Sequence, residues 1–172
     1  IIAVFIAGQM IGRTPDFLGK KIEAKEIKIA AIVAILHPLL ILAGTGLTSY
    51  LVVHNPDIGW LNNPSFHGFS EMLYENTSAA ANNGSGFEGL GDNTPLWNIL
   101  TGIIMLLGRF LPIIGPLAIV GALAIKKPVP VTAGSLKAES PAFGAVLISV
   151  ILIIAALAFF PALALGPLAE YF

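Results

Sequence analysis

Between residues 29 and 53 the chain runs for twenty-five residues without a lysine, arginine, aspartate or glutamate, and only His37 offers a charge near neutral pH. About 20 apolar residues cross the hydrocarbon core of a bilayer as a helix, so this run is long enough to span. Two more apolar runs follow at residues 96–125 and 142–165. Charged residues make up 11% of the sequence, against about 25% in ordinary soluble domains. That is a poor coat for a globule in water, and the expected fold class is an all-α integral membrane protein. Ile1 already lies inside an apolar stretch with no basic leader. A signal peptide would carry one, so the expectation is the tail of an earlier span and a C-terminal piece of a longer protein.

The placement of charge is more informative than its sum of −1. Eight of the nine basic residues fall in two segments: Arg13, Lys20, Lys21, Lys25 and Lys28, then Lys126, Lys127 and Lys137. Short cytoplasmic loops collect Lys and Arg, which puts residues 13–28 and 126–141 in the cytoplasm. Residues 54–95 contain no basic residue but do contain Asp57, Glu71, Glu75, Glu88 and Asp92, with Trp60 and Trp97 placed as interfacial anchors. This segment is therefore outside, and it must leave and return on one face of the bilayer. Phe17, Leu18, Ile22 and Ile27 have the spacing of a short amphipathic surface helix. The thirty residues 96–125 would make a straight helix of roughly 45 Å, and Gly108, Pro112 and Gly115-Pro116 predict a bent or broken span. His37-Pro38 predicts a kink in the first span, with His37 bonded to a neighbouring helix.

Within the outer segment, residues 79–90 read AAANNGSGFEGL, seven of them of the smallest types. The pattern predicts a helix over 70–81, capped by Ser70 with Glu71 in its first turn. An uncharged extended stretch, 82–86, follows. Glycine allows carbonyls on either side to turn one way, and rings of carbonyls replace the hydration shell of a cation in a pore. One reading is a re-entrant wall of a potassium filter; an ordinary loop outside the membrane satisfies the same charge pattern. Arg109 is the one basic residue within a span. A charge at that depth costs about 2.5–3.5 kcal/mol on insertion scales, so it should face a pore, an acid or backbone carbonyls released by the prolines.

There is no cysteine, hence no thiolate chemistry. No GxxxxGK[ST] run, phosphorylated-aspartate motif or metal-spaced His/acid cluster appears, and no basic-aromatic pattern for nucleic acid. The residues fit a noncatalytic role.

The segments GRTPDFLGKKIEAKEIK (12–28), HGFSEMLYENTSAAANNGSGFEGL (67–90), NTPLWN (93–98), LLGRF (106–110) and FFPALALGPLAEY (159–171) closely resemble the potassium-binding subunit family of Kdp-type potassium-transporting ATPases. The resemblance covers the whole chain. It implies four fused helix–pore loop–helix repeats, as in the Trk/Ktr/Kdp superfamily. Residues 1–28 would end the preceding repeat, 29–125 would form the fourth, and 126–172 a cytoplasmic loop and closing helix. It carries the filter onto Asn82, Asn83, Gly84 and Ser85, with Gly84 as the filter glycine, and makes Arg109 the family's pore arginine. Gly86 and Glu88 depart from the alanines expected there. Potassium would be transported cargo rather than a cofactor. The implied partners are the bilayer of a bacterial inner membrane, a P-type ATPase catalytic subunit and small accessory subunits. A Trk- or Ktr-type secondary transporter and a membrane scaffold without an ion path are the competing readings.

Overall fold

The computed structural model describes residues 1–12, 15–55, 59–63, 65–128, 130 and 140–171. Arg13, Asp57 and Lys137, which enter the charge argument, lie outside the described residues. Helices make up most of the rest: α1 (Ile2–Ile11), α2 (Ala24–His54), α3 (Ser65–Ala81), α4 (Pro95–Ala124) and α5 (Pro141–Tyr171). Of these, α2 and α4 are each long and apolar enough to cross a membrane.

The expected surface helix over 13–28 is not there. Asp16–Phe17 (β1) and Lys20–Lys21 (β2) instead pair antiparallel, Asp16 opposite Lys21 and Phe17 opposite Lys20. The connecting Leu18 and Gly19 both have positive φ, 52° and 71°, as a two-residue hairpin turn with the right twist requires. Gly19 makes that turn cheap, and Pro15 cannot donate to a helical ladder. The apolar spacing was therefore shared between a hairpin and the start of α2.

The helix ends follow local chemistry. Glu23 precedes α2, and Glu26 at the third helical position accepts the Glu23 amide at 2.9 Å, half of a capping box. Pro95 and Pro141 open α4 and α5, where a missing N–H leaves nothing unpaired. Thr94 and Ser140 accept the amides of Trp97 and Phe143 at 3.4 and 3.2 Å. α3 begins five residues before the expected start. Ser70 is inside it, its hydroxyl donating to the Phe66 carbonyl at 3.3 Å, so it is not a cap and Glu71 is not in the first turn. α4 is unbroken through Gly108, Pro112 and Gly115-Pro116, and α2 continues through Pro38.

The chain forms two compact units, Ile1–Ala34 with Ile113–Phe160, and Ile35–Pro112 with Pro161–Phe172. In the first, residues of the two basic segments meet. Lys20 donates to the Leu123 and Ala124 carbonyls at 2.8 and 2.9 Å, placing a cation at the negative end of α4. Lys126 reaches back to Glu26 at 2.8 Å and Glu23 at 3.1 Å. Glu26 is 1% exposed, so its charge depends on that ammonium. The hydrogen bond to Glu26, aided by the one to Glu23, holds Lys126 above the usual lysine range. Its contribution to stability is complete below that range and is lost as pH rises through the raised value. Lys126→Met in the full-length protein is expected to lower the melting temperature in detergent, because it strands a buried carboxylate; Lys126→Arg should recover most of the loss. An unchanged melting curve for Lys126→Met would show that the contact contributes nothing. The same unit carries an open apolar groove of about 440 Å³, lined among others by Val33, Ile119 and Val150.

Candidate functional site

The second unit is built around α3. Its buried positions are Gly68, Glu71, Met72, Asn76, Ser78, Ala79 and Ala80, an unusually polar set for a core. Two glycines on the flanking helices give it room. A Cβ on Gly44 of α2 would strike the Asn76 side chain and lie 2.8 Å from Ile104. A Cβ on Gly108 of α4 would strike the Ala80 carbonyl oxygen, with the carbonyl carbon at 3.2 Å and Cα at 3.3 Å. The last turn of α3 thus rests backbone to backbone on α4. Ile41, Ala79, Ala80 and Ile104 form the apolar core around this contact.

At its C-terminus α3 closes in a Schellman motif. The Asn83 amide returns to the Ser78 carbonyl at 3.0 Å and the Asn82 amide to the Ala79 carbonyl at 3.1 Å, with Asn82 left-handed at φ 55°. This is the pair of bonds such an ending requires, on a residue type that tolerates it. The Asn82 side chain uses both ends of its amide. Nδ2 donates to the Ala80 and Met105 carbonyls at 3.3 and 3.2 Å, and Oδ1 accepts from Arg109 Nε at 3.0 Å. The carbonyls of Ser78, Ala79 and Ala80 are therefore engaged by the chain's own donors.

Residues 83–87 then run without regular structure. Gly84 has φ +81° and open space where a Cβ would stand, so backbone angle rather than crowding selects glycine. Ser85 is pinned to α3. Its amide donates to Ser78 Oγ at 3.0 Å and its hydroxyl is 2.9 Å from Tyr74 Oη. The Tyr74 ring packs against Phe87, centroids 5.6 Å apart.

Beyond this irregular segment, a polar clasp closes the loop. Glu71, wholly buried, accepts from the Asn63 amide at 3.2 Å and from the Asn63 side chain, which also donates to the Glu88 carbonyl at 3.1 Å. Asn62 donates to Gly89 at 3.0 Å and Gly91 to Trp60 at 2.9 Å. Trp97 Nε1 donates to the same Trp60 carbonyl at 3.3 Å. Trp97 is 3% exposed, so in this structure it is part of the loop's core.

Arg109 is exposed, and the carbonyl released by proline goes to another residue. Pro112 has no N–H for the Gly108 carbonyl, four residues earlier, and His37 lies 3.1 Å from that oxygen through Nε2. A carbonyl only accepts, so Nε2 carries the proton. His37 is bonded to a neighbouring helix as expected, and the bond fills the gap that would otherwise weaken α4.

The structure brings Asn82 and Arg109 together and ties Ser85 to α3. Tyr74, Ser78, Asn63 and Gly44 were not singled out from sequence, and Gly108 was read as an interruption of its helix rather than as a seat for α3. Tyr74 and Ser78 are four apart on one helical face, the one signal that could have paired them. Among the described residues no cluster of three or more His, Asp or Glu is placed to hold a metal ion. Chemically, the arrangement offers backbone and amide oxygens on a pinned, uncharged segment.

Comparison with known proteins bears on the family of the chain as a whole. A family model described as the potassium-transporting ATPase A subunit matches residues 1–172. The chain is 68% identical to a potassium-transporting ATPase potassium-binding subunit of Flavobacterium johnsoniae, with all of this chain and 32% of that protein covered. The counterpart of the same description in Flavobacterium psychrophilum is 67% identical over the same shares. That of Geobacillus kaustophilus is 54% identical, with 99% of this chain and 30% of that protein covered. The chain thus spans about a third of the length of these relatives.

Proposed function

We propose a function from one premise: the chain belongs to the potassium-transporting ATPase A subunit family. In this reading it is the C-terminal third of a channel-like subunit that binds potassium and passes it across a bacterial inner membrane. Residues 29–125 are its fourth helix–pore loop–helix repeat, preceded by the end of the third in 1–28 and followed by a loop and closing helix in 126–172. Asn82, Asn83, Gly84 and Ser85 form one wall of the selectivity filter, and Arg109 couples or gates the path beneath it. Potassium is cargo, and no cofactor is needed. ATP is hydrolysed on a P-type ATPase partner, with small accessory subunits completing the assembly.

The observation that carries this reading is the irregular segment leaving the C-terminus of α3, a helix with one buried face, with Gly84 left-handed and unobstructed. Irregular backbone at membrane depth is tolerated only where protein buries it or it lines a water-filled path. The meeting of Lys20 and Lys126 with the two ends α4 and α2 supports placing both basic segments on one side, cytoplasmic by the positive-inside rule. The match over residues 1–172 weighs against a Trk- or Ktr-type transporter.

The test is Gly84→Ala in the full-length subunit of the assembled transporter, reading ATP hydrolysis against potassium and rubidium. Alanine at a left-handed position costs of order 1–3 kcal/mol. The expected result is a rise of about tenfold in potassium half-saturation, with weaker discrimination against rubidium. Unchanged curves from a fully assembled complex would make the loop structural and leave the scaffold reading.

A further inference from the structure

Ser78 lies one turn before the end of α3 and belongs to the helix, not the strand. Yet it takes two amides of the strand. Its carbonyl accepts from Asn83 and its hydroxyl from Ser85, each at 3.0 Å. Gly84 sits between these two anchors. Ser78 itself is 6% exposed, so its hydroxyl has no competition from bulk water.

In a trans peptide the N–H of one residue and the C=O of the residue before it point in opposite directions, and the chain has no cis bond. The Asn83 and Ser85 amides both point at Ser78. The carbonyls of Asn82 and Gly84 therefore point away from it. We infer that Ser78 is a positioning residue for ion selection, whose hydroxyl fixes the Gly84–Ser85 peptide so that the Gly84 carbonyl faces the ion path.

The need for such a device follows from Gly84 itself. Glycine adopts left-handed and right-handed angles about equally well, and no atom lies within 4 Å of where its Cβ would be. Gly84 therefore brings no side chain of its own to hold the next peptide in one orientation. The hydrogen bond from Ser85 supplies the missing restraint. Tyr74 Oη, 2.9 Å from Ser85 Oγ, holds the side chain of the same residue but not the peptide. It ranks second.

This inference rests on the filter reading above, and its test separates the two. The full-length subunit in its assembled transporter is compared as parent, Ser78→Ala, Ser78→Thr and Tyr74→Phe, each with Gly84→Ala alongside. A net hydrogen bond of ordinary strength converts to a rise of about three- to tenfold in potassium half-saturation for Ser78→Ala. The potassium-to-rubidium ratio should narrow in parallel while the maximal rate stays at the parental value. Ser78→Thr keeps the hydroxyl and should behave as parent; Tyr74→Phe should shift half-saturation by less than about twofold. If Gly84→Ala shifts the ion response and Ser78→Ala does not, this inference fails and the filter reading stands. If neither shifts it, the filter reading fails first. Hydrogen exchange on the parent complex covers the case in which Ser78→Ala does not assemble: a protected Ser85 amide supports the inference, and a rapidly exchanging one overturns it.

Discussion

Gly108→Ala is expected to remove most of the properly assembled protein, while Gly102→Ala on the same helix leaves the yield intact. Both changes replace glycine by a better helix former, a gain of about 1 kcal/mol. Their surroundings differ. A Cβ at Gly102 meets nothing within 4 Å, whereas at Gly108 it meets the carbonyl group and Cα of Ala80. Those are backbone atoms, which cannot rotate aside as a side chain would. Forcing an extra carbon into packed structure typically costs about 1–3 kcal/mol and sometimes more. Here it would push the end of α3 off α4 and open the Asn82 contacts with it. Size-exclusion yield and melting temperature in detergent measure the effect. Equal behaviour of the two variants would mean that the two helices are not seated as described.

Arg109→Ala should leave assembly near normal and cut the potassium response of ATP hydrolysis about tenfold. Arg109 contacts Asn82 through Nε, and it is exposed, so little packing is lost with it. Hydrogen bonds involving a charged group contribute about 1.5–3 kcal/mol, and exposure argues for the low end, which corresponds to roughly tenfold. Arg109→Lys should not restore the response, because an ammonium cannot reproduce the side-on Nε–H of a guanidinium. Potassium-stimulated hydrolysis across a concentration series reads both variants. A normal response in Arg109→Ala would remove the residue from the ion path.

Much of the helical layout was legible in the sequence because it depends on composition and spacing. The apolar helices α2 and α4 and the helix before the glycine-bearing segment follow from apolar runs and from the cluster of small residues after them. The hairpin at residues 16–21 was missed because its few apolar residues also fit a helical period, and the Leu18-Gly19 turn overrode that period. The start of α3 was placed late because Ser70 and Glu71 imitate a helix beginning. Their real partners, Phe66 and Asn63, act within the helix and across the loop. The sequence left open whether α4 is bent or broken, and the structure has it unbroken. The carbonyl that Pro112 leaves without its usual donor is met by His37, far away in sequence, and no local rule points to that. The resemblance carried Asn82, Asn83, Gly84, Ser85 and Arg109, but not the hydroxyls and glycines that hold them.

The seat of α3 on Gly108 also determines how movement travels. Side chains between helices act as springs, changing rotamer to absorb a displacement before it reaches the next backbone. The contact between Ala80 and Gly108 has no spring. Asn82 adds rigid links to Met105 and Arg109 on the same stretch of α4. A shift of that helix by a fraction of an ångström would therefore be delivered undamped to the turn where the strand begins, as through a strut.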